Sequence, residues 1–392
     1  MDPLDVLCAA AFIDRNPMLL SETQSSIRAT VREFVRRHVR PHARKHEADG
    51  GYPPALYLEM GALGLFGMTT PEDLGGAGVD AVAYALALME IAAGDGALST
   101  IVSIQNSLIV SAIAIHGTDD QRKRFLPELI SGRMIGAFAL TEAGAGSDAS
   151  AIQTRAMRID GGWRLDGAKQ FISSGSIAGL AIVYAVTDSS SGKNGITGFL
   201  IPTATPGYIV DKVEHKLGQA ASDTCSIRLD GVVVEDRLRL GPEGKGYGLA
   251  LSNLEAGRIG IAAQAVGMAQ AALEIACRYA HERTTMGKPI IQHQAVAFWL
   301  ADASARLEAA RQLVLHAAAR KDGGLPCLAE ASMAKLVASE TAEAVVSAAL
   351  QTLGGYGYIE EFGIAKIYRD VRVCQIYEGT SDIQRMVIAR SL

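Results

Sequence analysis

Residues 371–385 read VRVCQIYEGTSDIQR, and the rest of the chain is organised around them. A single carboxylate, Glu378, stands between an aromatic-apolar run (Ile376, Tyr377) and a small polar turn (Gly379, Thr380, Ser381). Gly379 can take backbone angles closed to other residues. Ser381 or Thr380 can cap a helix over 382–389. Glu378 is therefore expected on a sharp corner just ahead of a helix N-terminus, against apolar surface. Such surroundings disfavour the charged form and raise the carboxyl pKa toward working pH, as a general base requires. The same residues also suit an ordinary surface glutamate in a C-terminal loop.

The chain has 392 residues, 49% hydrophobic and 20% charged, enough for a large core spread over two or three domains. Forty-one glycines against 12 prolines point to many tight turns and helix ends. A net charge of −5, a pI near 5.9 and the lack of basic clusters interleaved with aromatics argue against nucleic-acid binding. The five cysteines (Cys8, Cys225, Cys277, Cys327, Cys374) are far apart and form no C-x-x-C, which fits free buried thiols in a reducing compartment. The opening residues carry Asp2 and Asp5 and no basic n-region, so neither a signal nor a transit peptide is expected. An uncharged run over 97–115 is interrupted by serines, Gln105 and Asn106, and reads as a buried helix, with no membrane insertion. These features predict a cytoplasmic, bacterial protein. His38, His42 and His46 repeat every four residues, but Pro41 lies between them and no carboxylate completes a metal site. They read as a solvated face.

Along the chain, helical spacing over 25–40 ends or kinks at Pro41. Further helices are predicted over 56–65, 82–93, 98–115 and 119–130. The texture then changes to short runs rich in β-branched and aromatic residues, at 135–140, 151–159, 163–166, 169–172, 180–186, 196–201, 208–213 and 224–229. Turn signals such as Asn194-Gly195 and Asp230-Gly231 separate them, which suggests an antiparallel sandwich or barrel. After residue 241 long Ala-rich helices return over 247–283, 292–321 and 327–353, the layout of an antiparallel bundle. The predicted organisation is α+β: a helical domain over 1–132, a β domain over 133–240 and a helical bundle over 241–392.

The stretch at 138–148, FALTEAGAGSD, follows a strand and is rich in Gly, Thr and Ser. Its backbone can approach a flavin ring or a phosphate, although a plain hairpin connection has the same composition. G-x-G-x-x-G is absent, so it is no dinucleotide fingerprint. Taken together, IYEGTSDIQR, LTEAGAGSD and ERTTMGKP, in this order and at these separations, resemble the acyl-CoA dehydrogenase family of flavoenzymes, over residues 22–390. The helix–sheet–bundle order is also that family's.

The resemblance implies FAD as cofactor and Glu378 as the base that removes the pro-R α-proton of an acyl-CoA thioester, while the β-hydrogen leaves as hydride to flavin N5. The thioester carbonyl would be polarised by the Glu378 N–H and a ribityl hydroxyl. It gives Phe138, Leu140 and Thr141 to the isoalloxazine, together with Phe171, Ile172 and Ser173 in KQFISSGSIAG, where many members have Trp in place of Phe171. It adds Thr380 and Ser381 to the cofactor contacts, and Ser147, Arg258 and Gly379 to the substrate contacts. Arg283 would hold the FAD pyrophosphate, with Thr285 among the cofactor contacts. Gln294 would be a further contact, and Gln351, Leu353, Gly354 and Gly355 the segment lent by a neighbouring subunit. One branch of the family carries its base immediately before the arginine equivalent to Arg258. This chain has Gly257 there, so Glu378 is the expected base and Glu255, grouped with the substrate contacts, a backup. SIQNSL at 103–108 most resembles members acting on short straight or 2-methyl-branched acyl-CoAs. The implied product is a trans-2-enoyl-CoA. Electron-transfer flavoprotein would be the acceptor, and the protein a homotetramer. An oxidase-like relative, a nitroalkane-type relative and a catalytically silent binding member remain as other readings.

Overall fold

The computed structural model of the protein describes residues 20–392. Cys8 and the opening residues, read above for targeting signals, lie outside the described residues. The first helix, α1 (Glu22–Phe34), starts at a capping box in which Ser21 and Gln24 satisfy each other's backbone N–H groups. The chain leaves α-geometry ahead of Pro41. A π-type turn (Val35–Val39) and a 3-10 turn (Arg40–His42) lead into α2 (Ala43–Asp49). Proline has no N–H to give and clashes with the preceding turn, so the helix changes its winding instead of breaking off. His46 is buried at 7% exposure and packs edge-on against Tyr52 with ring centroids 4.9 Å apart, which corrects the expectation of a solvated histidine face.

Then come α3 (Pro54–Ala62), α4 (Ala81–Gly94), α5 (Gly96–Ile104), α6 (Ser111–His116) and α7 (Asp119–Ile130). Asp80 caps α4 and Asp95 caps α5. A π-type segment (Gln105–Val110) joins α5 to α6. The polar residues in this apolar run are structural. Gln105 donates to the carbonyls of Leu129 and Met134 and accepts from Gly136 N–H, while Asn106 donates to Leu65 O and accepts from Met68 N–H. The α5–α6 run and a later 37-residue helix are each long and apolar enough to cross a membrane. Their apolar windows are 78% and 83% buried within the fold, as core helices are.

The central strands are β1 (Gly136–Ala139), β2 (Arg155–Ile159), β3 (Gly162–Ser173), β4 (Leu180–Val186), β5 (Ile196–Pro202), β6 (Tyr208–Val213), β7 (Thr224–Glu235) and β8 (Arg239–Leu240). They pair in the order β6-β7-β3-β2-β4-β5-β8, largely antiparallel, with β1 lying parallel to β4. The two runs predicted at 163–166 and 169–172 are one strand, β3, and Asp230-Gly231 lies inside β7 instead of ending it. Register shifts in the β3–β7 pairing, with Gly231 at φ 63° and Gly167 at φ 153°, take up the extra residues as bulges. The sheet folds over on itself. Residues of β3 and β7 share one apolar core with residues of β1, β4 and β5, and the Trp163 and Phe199 rings meet there at 5.6 Å. The outer face of β4 (Leu180, Ile182, Tyr184) packs on the helices instead.

The C-terminal part holds α8 (Gly246–Glu282), a short hairpin of β9 (Thr284–Thr285) and β10 (Lys288–Pro289), then α9 (Gln294–Asp322), α10 (Leu328–Leu353), α11 (Ile364–Val371) and α12 (Ser381–Ala389). Residues of α1, α4, α5, α8, α9, α10 and α11 belong to one continuous hydrophobic core. The first and last helical regions are therefore a single packed body, and the sheet sits beside it.

Candidate active site

Glu378 occupies the corner between the 3-10 turn Arg372–Gln375 and α12. Its φ is 55° and that of Gly379 is 88°, so two successive residues are left-handed. Only glycine takes such angles freely. A Cβ at 379 would also press on the Gln384 amide at 2.8 Å. Thr380, not Ser381, caps α12 by accepting Ile383 N–H. The corner is held by its carbonyls: Gln384 Nε2 donates to Glu378 O at 3.2 Å and to Gly379 O at 2.9 Å, and Lys335 Nζ donates to Gly379 O at 2.7 Å. The carboxylate faces inward, and its Oε2 is buried with no hydrogen-bond partner. Burial pushes its pKa up to about 7, against the opposing pull of the Arg258 and Lys335 cations. A carboxylate that titrates near neutrality and has a free oxygen is a competent general base.

The corner opens on a cavity of about 210 Å3 that gathers segments distant in sequence. Leu140 and Thr141 follow β1, Phe171 to Ser173 end β3, and Arg258 comes from α8. Phe138, Ser147 and Gly379 complete the predicted residues that line it. Phe171 is left-handed at φ 59° and 63% exposed, an aromatic face presented to the cavity without a cover of its own chain. The Leu140–Thr141 edge is clamped from behind. Lys169 Nζ donates to Leu140 O and to Glu142 Oε1, and Gln170 N–H donates to Thr141 O. Behind Tyr377 lies a polar layer. Thr100 Oγ1 meets Gln219 and Gln264 at 2.7 Å each, and Tyr377 OH donates to Gln264 Oε1.

A base on a left-handed corner, facing a flat aromatic and a Thr-Gly-rich edge, suits carbon-acid chemistry beside a planar cofactor. Three family models cover the chain: the acyl-CoA dehydrogenase N-terminal domain over 21–133, its middle domain over 137–232 and its C-terminal domain over 244–392. The chain belongs to the acyl-CoA dehydrogenase family. It is 44% identical over 341 residues to an acyl-CoA dehydrogenase of Bacillus subtilis, 87% of this chain and 90% of that one. It is 41% identical over 346 residues to the caffeyl-CoA reductase–Etf complex subunit CarC of Acetobacterium woodii, 88% and 91% of the two chains. The butyryl-CoA dehydrogenase structure from Megasphaera elsdenii superposes with a TM-score of 0.92 at 40% identity, covering 95% of this chain and 98% of that one. The protein is accordingly an FAD-dependent acyl-CoA dehydrogenase.

The residues present fit FAD. The uncovered Phe171 face and the open surroundings of Gly144 and Gly146 leave room for a planar ring beside exposed backbone. The other predicted cofactor residues do not share this cavity. Arg283, Thr285, Leu353, Gly354 and Gly355 line a second groove of about 480 Å3 with Tyr279 and Tyr356. Arg283 is exposed, stands 6.0 Å from the Tyr356 ring, and among the described residues makes no ion pair. Gln294 and Gln351 are exposed on helix surfaces and line neither space. The Thr380 hydroxyl is engaged as the helix cap, whereas the Ser381 hydroxyl is buried and unpartnered.

Glu255 does not line the cavity. It accepts from Cys327 Sγ at 3.1 Å and faces Lys321 at 3.7 Å, so the structure sets it aside as a backup base. Gly257, by contrast, abuts the site: a Cβ there would lie 2.9 Å from Glu378 Oε2. Sequence reasoning missed Lys335, Lys169 and Glu142. Lys335 carried a readable signal, because it falls on the apolar stripe of α10 with Ala331, Ala334 and Ala338, all buried. A lysine on a core stripe needs a reason.

Proposed function

We propose that the enzyme removes the α-proton of a short acyl-CoA with Glu378 and releases the trans-2-enoyl-CoA. The observation that carries this reading is the Glu378 carboxylate, which is buried, raised to about 7, and unpartnered at Oε2 on the cavity it shares with Leu140, Thr141 and Phe171. Bound FAD supplies the two-electron acceptor. Glu378 takes the proton, and its backbone N–H is assigned to polarise the thioester oxygen, because a carboxylate is too weak a base for an unactivated α-C–H. A donor placed where negative charge develops is usually the larger electrostatic contribution. The positioned base adds about 10²–10⁴-fold. Arg258, buried beside the base, favours the ionised carboxylate between turnovers.

The preference for a short chain rests on the layer behind Tyr377. Thr100 and Tyr377 line the cavity, and Gln264, fully buried, bonds both. Methylenes pushed into that layer would leave buried polar groups unpaired, which costs about 1–3 kcal/mol for each group. Electron-transfer flavoprotein is the assigned acceptor, in keeping with the Etf-complex relative. The two separate spaces support an FAD site completed by a second subunit within a homotetramer. We assign the enzyme to the cytoplasm and divide the chain after residues 132 and 240.

The test is a visible spectrum of the pure protein followed by anaerobic addition of butyryl-CoA, 2-methylbutyryl-CoA and octanoyl-CoA. Bleaching is expected with the two short thioesters and not with octanoyl-CoA. Glu378→Gln should keep the flavin band and lose bleaching; a variant that bleaches near the wild-type rate would remove Glu378 from the mechanism.

A further inference from the structure

Lys335 has no role in the reaction as drawn, yet it is one of the most deeply buried charged groups described. Its exposure is 0%, it sits inside the N-terminal third of α10, and its Nζ donates to Gly379 O at 2.7 Å. Among the described residues no carboxylate comes within ion-pairing distance of it. A buried ammonium without an ion-pair partner is expensive, and a methionine would fill the same space at lower cost. Nor is the ammonium needed merely to satisfy the Gly379 carbonyl, which already accepts a neutral donor, Gln384 Nε2, at 2.9 Å. What a lysine adds is charge.

We propose that Lys335 is a positioning residue for the catalytic base: its ammonium pins the left-handed Glu378–Gly379 corner and presents a fixed positive charge to the Glu378 carboxylate. The proposal rests on Glu378 being the base. The charged and titratable groups around that carboxylate are few. Arg258 on α8 is a second cation, itself bonded to Ser332 of α10. Tyr84 on α4 feels the Glu378 charge, and burial pushes its own pKa above the usual tyrosine range. Cys374, Glu340 and Arg258 face Lys335, and Tyr377 precedes the base. Lys335 and Arg258 both favour the ionised carboxylate, and burial opposes them. Burial also lowers Lys335 to about 8, so it remains a cation at neutral pH. Removing this charge leaves burial less opposed, so Glu378 must hold its proton to higher pH.

The experiment compares the wild-type holoenzyme with Lys335→Gln, Lys335→Met and Lys335→Arg. The Glu378 carboxyl is titrated directly by its infrared C=O band, assigned by difference against Glu378→Gln. The pH dependence of kcat/KM with butyryl-CoA is the second readout. In the Gln and Met variants both the band and the acid limb should move up by about one pH unit, roughly a tenfold lower rate on that limb, since an opposite charge nearby shifts a carboxylate by one to three units. The loss should fall on kcat more than on KM. The Arg variant should keep the wild-type titration. A carboxyl band that titrates unchanged in Lys335→Gln overturns the proposal, as does a rate lost equally at every pH with an unmoved limb. If butyryl-CoA proves not to be a substrate, the infrared titration still decides the role of Lys335, and only the substrate reading fails. If the Met variant does not fold, the Gln and Arg pair decides alone.

Discussion

Glu378 is held in a backbone conformation that side chains other than glycine rarely keep, and such strain persists only where the surroundings over-determine it. Here two carbonyl anchors and a capped helix do so. The arrangement carries a stability cost that depends on pH. An unfolded glutamate titrates near about 4.3, whereas in the fold Glu378 is raised to about 7. Between these values the native state binds more protons than the unfolded state, so stability falls as pH rises through the window. Above pH 7 the full penalty applies, on the order of 4 kcal/mol. Glu378→Gln should therefore melt higher than wild type at pH 8, and the gap should shrink toward zero at pH 4.5. A gap that does not change with pH in thermal melts would speak against a raised carboxyl. Gly257 gives a second outcome at this scale. Gly257→Ala would place a Cβ 2.9 Å from Glu378 Oε2 and push the base off its position, so kcat should fall at least about tenfold with FAD retained. The base and its turn were legible in IYEGTSDIQR, because glycine and a capping hydroxyl act locally. The buried Lys335 beside it was not, because what it touches, the Gly379 carbonyl, lies 44 residues away. Arg258 was reached only through the family resemblance, since nothing local links it to Glu378.

Strand β3 joins the outer sheet to the cavity, and one buried ion pair sets how it does so. Lys169, at 0% side-chain exposure, faces Glu142 at 2.8 Å, and Glu142 in turn accepts from the N–H groups of Gln153 and Thr154. The pair ties β3 to the loop after β1 just where Leu140 and Thr141 reach the cavity. Burial lowers Lys169 to about 8 even with Glu142 opposing it. Removing one partner strands the other charge, so Lys169→Met alone should cost about 3–5 kcal/mol in denaturant unfolding. The double variant Glu142→Gln with Lys169→Met should recover most of that loss. Additive losses would mean that the two residues act independently. The sequence displayed this element only in part. FALTEAGAGSD and KQFIS were readable as edges of a ligand site, and each contains one member of the pair, yet nothing local links residue 142 to residue 169. Asp230-Gly231 misled for a related reason: a turn-forming dipeptide was absorbed as a bulge once β7 had β3 to pair with.

At the scale of the whole molecule, helices from both ends of the chain share one core. Asp322, at the end of α9, accepts the first N–H groups of α4 from Ala81 and Val82, placing a carboxylate at a helix N-terminus more than two hundred residues away. Fragment 241–392 expressed alone would lack α4 and α5 from that core and should show a non-cooperative melt. The same packing leaves the Arg283 groove and the Glu378 cavity as separate spaces with no lining residue in common. If a second subunit completes the FAD site, as proposed above, one chain supplies Glu378 and another Arg283. Co-expressed Glu378→Gln and Arg283→Ala subunits test this directly. Each homo-oligomer should be inactive, the first without a base and the second with weakened FAD binding. A mixed pair contains one site with Glu378 from the Arg283→Ala chain and Arg283 from the Glu378→Gln chain, so activity should return. If each chain instead built its own complete FAD site, every site in the mixture would carry a lesion and the mixed protein would stay as inactive as its parents.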